Sequence, residues 1–254
     1  MNQLVKAIIG LALLVATLLI NSLGAFGFFN GMSQKAISDM YPTLITPAPF
    51  TFSIWSVIYL LLIGAAITMI IKNKDDIYSQ AIDQIAPLFW ISSGLNMVWI
   101  ICFSYNMINL SAVVILCFAI ILALIVKKIS TIKIANSWLL PTAFGMYAGW
   151  LLIATVVNIA AFLVSIDWQG FGIEAEVWAA ITLAVAVILA FVVAHSTRNF
   201  VIPLPIAWGY LGIYMSLKLM NALPFLQIFT LIGIVLLLGI SGYLLWLKRR
   251  VKET

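Results

Sequence analysis

The 254 residues are 65% hydrophobic and only 8% charged, with a mean hydropathy of +1.18. A water-soluble domain of this length needs about 25% charged residues to coat its surface, so the composition excludes one and leaves a polytopic membrane protein. The net charge of +5 comes from basic residues in short loops and the C-terminal tail, a placement that bears on topology and gives no sign of nucleic-acid binding.

The first apolar run, residues 4–29, starts beside Lys6 and continues through Gly24-Ala25-Phe26-Gly27-Phe28-Phe29. That is longer than the core of a signal peptide and predicts a retained helix. Pro42, Pro47 and Pro49 make the next segment, 30–49, extended or turn-like. Further spans are expected at 51–71, 86–105 and 109–126, the last two as antiparallel neighbours because so few residues join them. The stretch Trp138–Ser165 carries no charge and forms the fifth span. A polar loop with Asp167, Glu174 and Glu176 leads to spans at 177–195, 200–219 and 225–247. The expected fold is therefore all-α, a bundle of eight transmembrane helices.

Charge orients the bundle. With the N-terminus inside, Lys6, Lys72, Lys74, Lys127, Lys128, Lys133, Arg198 and the four basic residues of the tail share one side. Lys35 and Lys218 lie on the other. Such a bias places both termini in the cytoplasm of a cell-membrane protein. Cys102 and Cys117 both fall in apolar segments, which argues against a structural disulfide.

Few residues could carry chemistry. His195, the only histidine, falls at the end of the sixth span among Ser196, Thr197 and Arg198, a position suited to interfacial anchoring. No phosphate loop, metal-ligand spacing or nucleophile–base pair is present, so neither an enzyme nor a cofactor or metal is expected. The deep polar groups are amides. Asn96 shares a helical face with Trp99 and Phe103, and Tyr147, Trp150, Ala154 and Asn158 are spaced by three, four and four. An amide in hydrocarbon needs a partner. Two readings stay open: glue between helices, contributing about 0.6–2 kcal/mol, or a group offered to a ligand.

Three motifs connect these residues. Pro47-Ala48-Pro49-Phe50-Thr51-Phe52-Ser53-Ile54-Trp55 leads to Tyr59; Leu95-Asn96-Met97-Val98-Trp99 leads to Phe103; and Tyr147-Ala148-Gly149-Trp150 precedes Ala154-Thr155-Val156-Val157-Asn158. In order and spacing they resemble the signatures of the TspO/MBR family, the tryptophan-rich sensory proteins that include the translocator protein, or peripheral benzodiazepine receptor. Phe50, Ile58, Ser104 and Met146 depart from the usual pattern.

The resemblance covers roughly residues 5–165. It implies a five-helix unit over 1–166, with 167–254 as three additional helices and a basic tail. It also implies a receptor or sensor for a flat hydrophobic ligand such as a porphyrin or other tetrapyrrole. By matching position, Trp55, Tyr59, Asn96, Trp99, Phe103, Tyr147, Trp150, Ala154 and Asn158 would surround that ligand. The alternatives are a permease for a small hydrophobic solute and a structural or regulatory membrane subunit. The expected partners are the ligand and membrane lipid, with homo-oligomer formation open and no nucleic acid.

Topology is directly testable. Thiol labelling of Ser33→Cys, Ser79→Cys, Ile134→Cys and Gly170→Cys should report outside, inside, inside and outside. A C-terminal tail accessible from outside would reject this arrangement.

Overall fold

The computed structural model describes residues 1–132, 138–220 and 223–250, with the backbone of the last helix followed to Glu253. Lys133, Ile134 and the side chain of Lys252 lie outside the described residues. Helices α1 (Gln3–Ala25), α3 (Ile54–Ile71), α4 (Asp76–Ser104), α5 (Ile108–Thr131), α6 (Leu139–Ser165), α7 (Ala175–Thr197), α8 (Pro203–Leu219) and α9 (Pro224–Glu253) form the bundle, with a short α2 at Gln34–Asp39. Residues 30–49, expected to be extended or turn-like, thus contain one brief helix, which begins at Ser33, whose hydroxyl accepts from the Ala36 N–H.

Seven of these helices are long and apolar enough to cross a membrane: α1, the continuous 49–71 segment that includes α3, α4, α5, α6, α7 and α9. They are apolar outside as well as inside. Leu60, Val113, Val192 and Val235 are all more than half exposed, a pattern that suits lipid and not water. The protein is an integral, multi-pass membrane protein.

Two boundaries differ from the sequence expectation. Helix α4 begins ten residues before the expected start at 86, because Asp75 caps it, accepting from the N–H groups of Ile77 and Tyr78 at 3.1 Å. The helix then runs through Pro87, which lacks one backbone donor. The added turns carry Asp83, which accepts from Gln3 Nε2 at 2.6 Å and pairs with Lys6, tying α4 to α1. Asp83 is half exposed, so the ion pair contributes at most about 1 kcal/mol.

The other difference is at α8, the expected span 200–219. It has only 17 residues, about 25 Å at 1.5 Å per residue, shorter than the seven. Among the described residues, α8 is thus not one of the helices long enough to span, and seven candidate spans stand where eight were expected. A non-helical stretch, 198–202, precedes it, opening with Arg198 in the left-handed region at the end of α7. Polar groups of this stretch are met from within the protein. Asn199 donates from Nδ2 to the Pro141 carbonyl at 2.8 Å and accepts from Val201 N–H at 2.9 Å. Ser241 of α9 donates to the Phe200 carbonyl at 2.6 Å. Pro203 and Pro205 then start α8 with no N–H to satisfy.

In the packing, α4 lies between α1 and α5, α6 touches α3, α5 and α8, and α9 covers α7 and α8. Glycine fixes the α6–α8 approach. A methyl at Gly149 would stand 2.6 Å from Pro205 Cγ and would collide with the Ile202 carbonyl. Gly149→Ala should therefore lower stability by about 1–3 kcal/mol, as overpacking does. Gly94→Ala, in open space, should cost nothing; thermal unfolding in detergent micelles compares the two.

Candidate functional site

Trp55 is the first-turn residue around which the site forms. The 3₁₀ turn Pro49–Ser53 runs directly into α3 and sets Trp55 among the rings of α4 and α6. Its ring stacks on Tyr59 at 5.2 Å and meets Tyr147 and Trp150 edge-on, each at 6.1 Å. Trp99 lies tilted at 6.5 Å. Aromatic pairs at these separations contribute about 0.5–1.5 kcal/mol each beyond burial, enough to hold the rings as one assembly.

Beside this assembly lies a partly open cavity. Trp55, Trp99, Phe103, Trp150, Ala154 and Asn158 all line it, six of the nine residues expected. Among the described residues, no charged side chain does. The other three sit elsewhere. Tyr59 lines a more polar neighbouring hollow between α1 and α3, with Asn21, Ser22 and Lys35. Gln34, Phe52 and Trp55 border both spaces and form the partition between them.

Asn96 and Tyr147 stand behind the wall. Asn21 of α1 donates to Asn96 Oδ1 at 2.7 Å, and Asn96 Nδ2 donates to Tyr147 Oη at 2.7 Å. The chain crosses three helices and is almost wholly buried at Asn96 and Tyr147. For Asn96 the structure gives the interhelical role. Asn158 combines both roles: its Oδ1 accepts from Ser111 of α5 at 3.1 Å while the residue stays on the cavity wall.

Several lining residues escaped the sequence reading. Ile153, Val157 and Ala161 extend the Trp150–Ala154–Asn158 face of α6 by the same periodicity, so their signal was present. Phe52, in the proline-rich motif, meets Trp150 edge-on at 6.4 Å. Gln34, in the first loop, and Gly209 and Ile213, in a helix apolar all round, carried no signal.

The segment 48–51, which runs into α3, is tied to α8. Ala48 N–H donates to the Gly212 carbonyl at 3.0 Å, and Trp208 Nε1 donates to the Thr51 carbonyl at 2.9 Å. Phe50 meets Trp208 edge-on at 5.4 Å. Gly212 is required there, since a methyl would stand 2.9 Å from Thr51 Cγ2. The indole N–H groups of Trp99 and Trp150 and the amide nitrogen of Gln34, all on residues of the cavity wall, are buried without a hydrogen-bond partner. Among the described residues, no His, Cys, Asp or Glu side chains group in a way that could hold a metal ion.

A multi-pass helical membrane protein with an uncharged, tryptophan-walled cavity is the class that fold and site define. The chain belongs to the TSPO-like protein family, whose model matches residues 7–243. That match runs beyond the 5–165 expected from the motifs and takes in α7, α8 and most of α9. Neither the curated proteins nor the solved structures contain a significant match to the chain.

The Asn21–Asn96–Tyr147 chain gives a stability prediction. Asn96→Ala leaves the buried Tyr147 hydroxyl without its partner and should cost about 1–3 kcal/mol. Thermal unfolding in micelles reads the loss, and Tyr147→Phe, which removes one hydroxyl, should cost less.

Proposed function

We propose that this protein is a membrane receptor or sensor that takes a flat hydrophobic ligand, such as a porphyrin or other tetrapyrrole, into the cavity beside Trp55. One observation carries the reading: Trp55, Trp99 and Trp150, with Phe52 and Phe103, line a single uncharged cavity. Flat conjugated rings gain most against indole and phenyl faces. An apolar site with a few polar groups suits a small hydrophobic molecule. Membership of the TSPO-like family supports the same reading.

Protoporphyrin IX should then quench tryptophan fluorescence saturably. Trp55→Phe and Trp150→Phe each remove indole area and an N–H while keeping a ring. Each should weaken binding by about 1–2 kcal/mol, roughly 5- to 30-fold. Trp246→Phe, on α9 and outside the cavity, should leave affinity unchanged. Saturable binding undiminished in a folded Trp55→Phe/Trp150→Phe double variant would defeat the assignment. For Asn158→Ala, selective loss of ligand-induced thermal stabilisation indicates contact with the ligand, whereas an equal loss with and without ligand indicates a purely structural role.

A further inference from the structure

We propose that α8 is the selectivity wall of the cavity, with Ile213 and Gly209 setting how large a flat ligand it admits. The inference rests on the binding role proposed for that cavity and adds to it the element that sizes the ligand. Four observations converge on α8.

First, Gly209 and Ile213, four residues apart on one face of α8, both line the cavity. Among the described residues, they are the only lining residues that come from beyond α6. The motif-bearing helices supply the indoles, and those rings serve any flat apolar molecule alike. Discrimination by size needs a different surface, aliphatic and fixed in place.

Second, α8 has little freedom to yield. Gly149 of α6 brings it in at one end, against Ile202 and Pro205. On its far side Tyr210 packs over Gly233 of α9 and donates its hydroxyl to the Leu183 carbonyl of α7. A wall held by α6, α7 and α9 does not move aside for a larger ligand.

Third, Gly209 stands against Ile153, itself a lining residue. A methyl on Gly209 would lie 3.1 Å from Ile153 Cγ1, tight enough to push that side chain by a few tenths of an ångström. The bare backbone at 209 therefore preserves width that any other residue would remove.

Fourth, the residue beside Ile213 holds the segment that leads to Trp55. Gly212 accepts the Ala48 N–H, and Trp208 donates to the Thr51 carbonyl. The wall and the anchor of this segment thus share one helix, so a shift of α8 to accommodate bulk would also break the bonds to Ala48 and Thr51.

Selectivity is read as the ratio of affinities for protoporphyrin IX and for anthracene, a much smaller flat apolar probe. Both are followed by quenching of intrinsic fluorescence in the full-length protein in micelles. Hydrophobic pockets discriminate about 10-fold or more per methylene-sized change. Ile213→Ala should raise the ratio about tenfold and Ile213→Phe should lower it by a similar factor. Gly209→Ala should lower it, by driving Ile153 inward.

Ile213→Val and Ile213→Leu keep most of the core volume, and stay informative where the larger changes prevent folding. Val should shift the ratio about threefold toward the porphyrin, a fraction of the effect of Ala. A ratio within about twofold of wild type in every folded variant, or equal loss of both probes, overturns the role of α8 and leaves the site reading standing. If the wild-type protein binds neither probe saturably, the site reading fails, and this assignment fails with it.

Discussion

A polar side chain inside a bilayer has no water to turn to, and this protein meets that constraint with a chain of hydrogen bonds. Asn21, Asn96 and Tyr147 link α1, α4 and α6 at the depth of the aromatic assembly. Tyr147 is thereby fixed between Trp55 at 6.1 Å and Phe118 at 5.3 Å. The back of the cavity is thus held by directional bonds, which in hydrocarbon keep three helices in register better than apolar contact does. Trp55, Trp99 and Trp150 then take positions relative to that fixed ring.

Much of this was legible in the sequence, for identifiable reasons. The low charge and long apolar runs announced a helical membrane bundle. Periodicity placed Trp150, Ala154 and Asn158 on one face, and the motif order brought Trp55 and Trp99 to it. The start of α4 was missed because its first turns carry Asp76, Gln80 and Asp83, a polar surface that reads as loop until the Asp75 cap is seen. The roles of Asn96 and Asn158 could not be separated by spacing alone, since both are amides on aromatic faces. Only their partners tell them apart: Asn96 is fully engaged across three helices, whereas Asn158 also faces the cavity.

Helix α8 was the least legible element. Apolar on every side, it offers no stripe by which sequence could orient it. Its glycines mark the answer after the fact: Gly209 and Gly212 lie where the helix meets Ile153 of α6 and Thr51. The cavity draws its walls from both sides of the division expected after residue 166, and the family match likewise continues through α8. Close helix approach through small residues is the usual means of packing in lipid, and here it brings a backbone surface to the cavity wall.

The bond between Ala48 and Gly212 also has a consequence for the order in which the protein is made. A ribosome delivers Ala48, Thr51 and all three cavity tryptophans well before it reaches α8. During that interval the Thr51 carbonyl has no Trp208 to accept from, and the cavity is a groove open along one side. The finished chamber exists only once the C-terminal helices have inserted and docked. Its completion is thus among the last events of biogenesis, and a nascent chain stalled after α6 would present its indoles to the lipid.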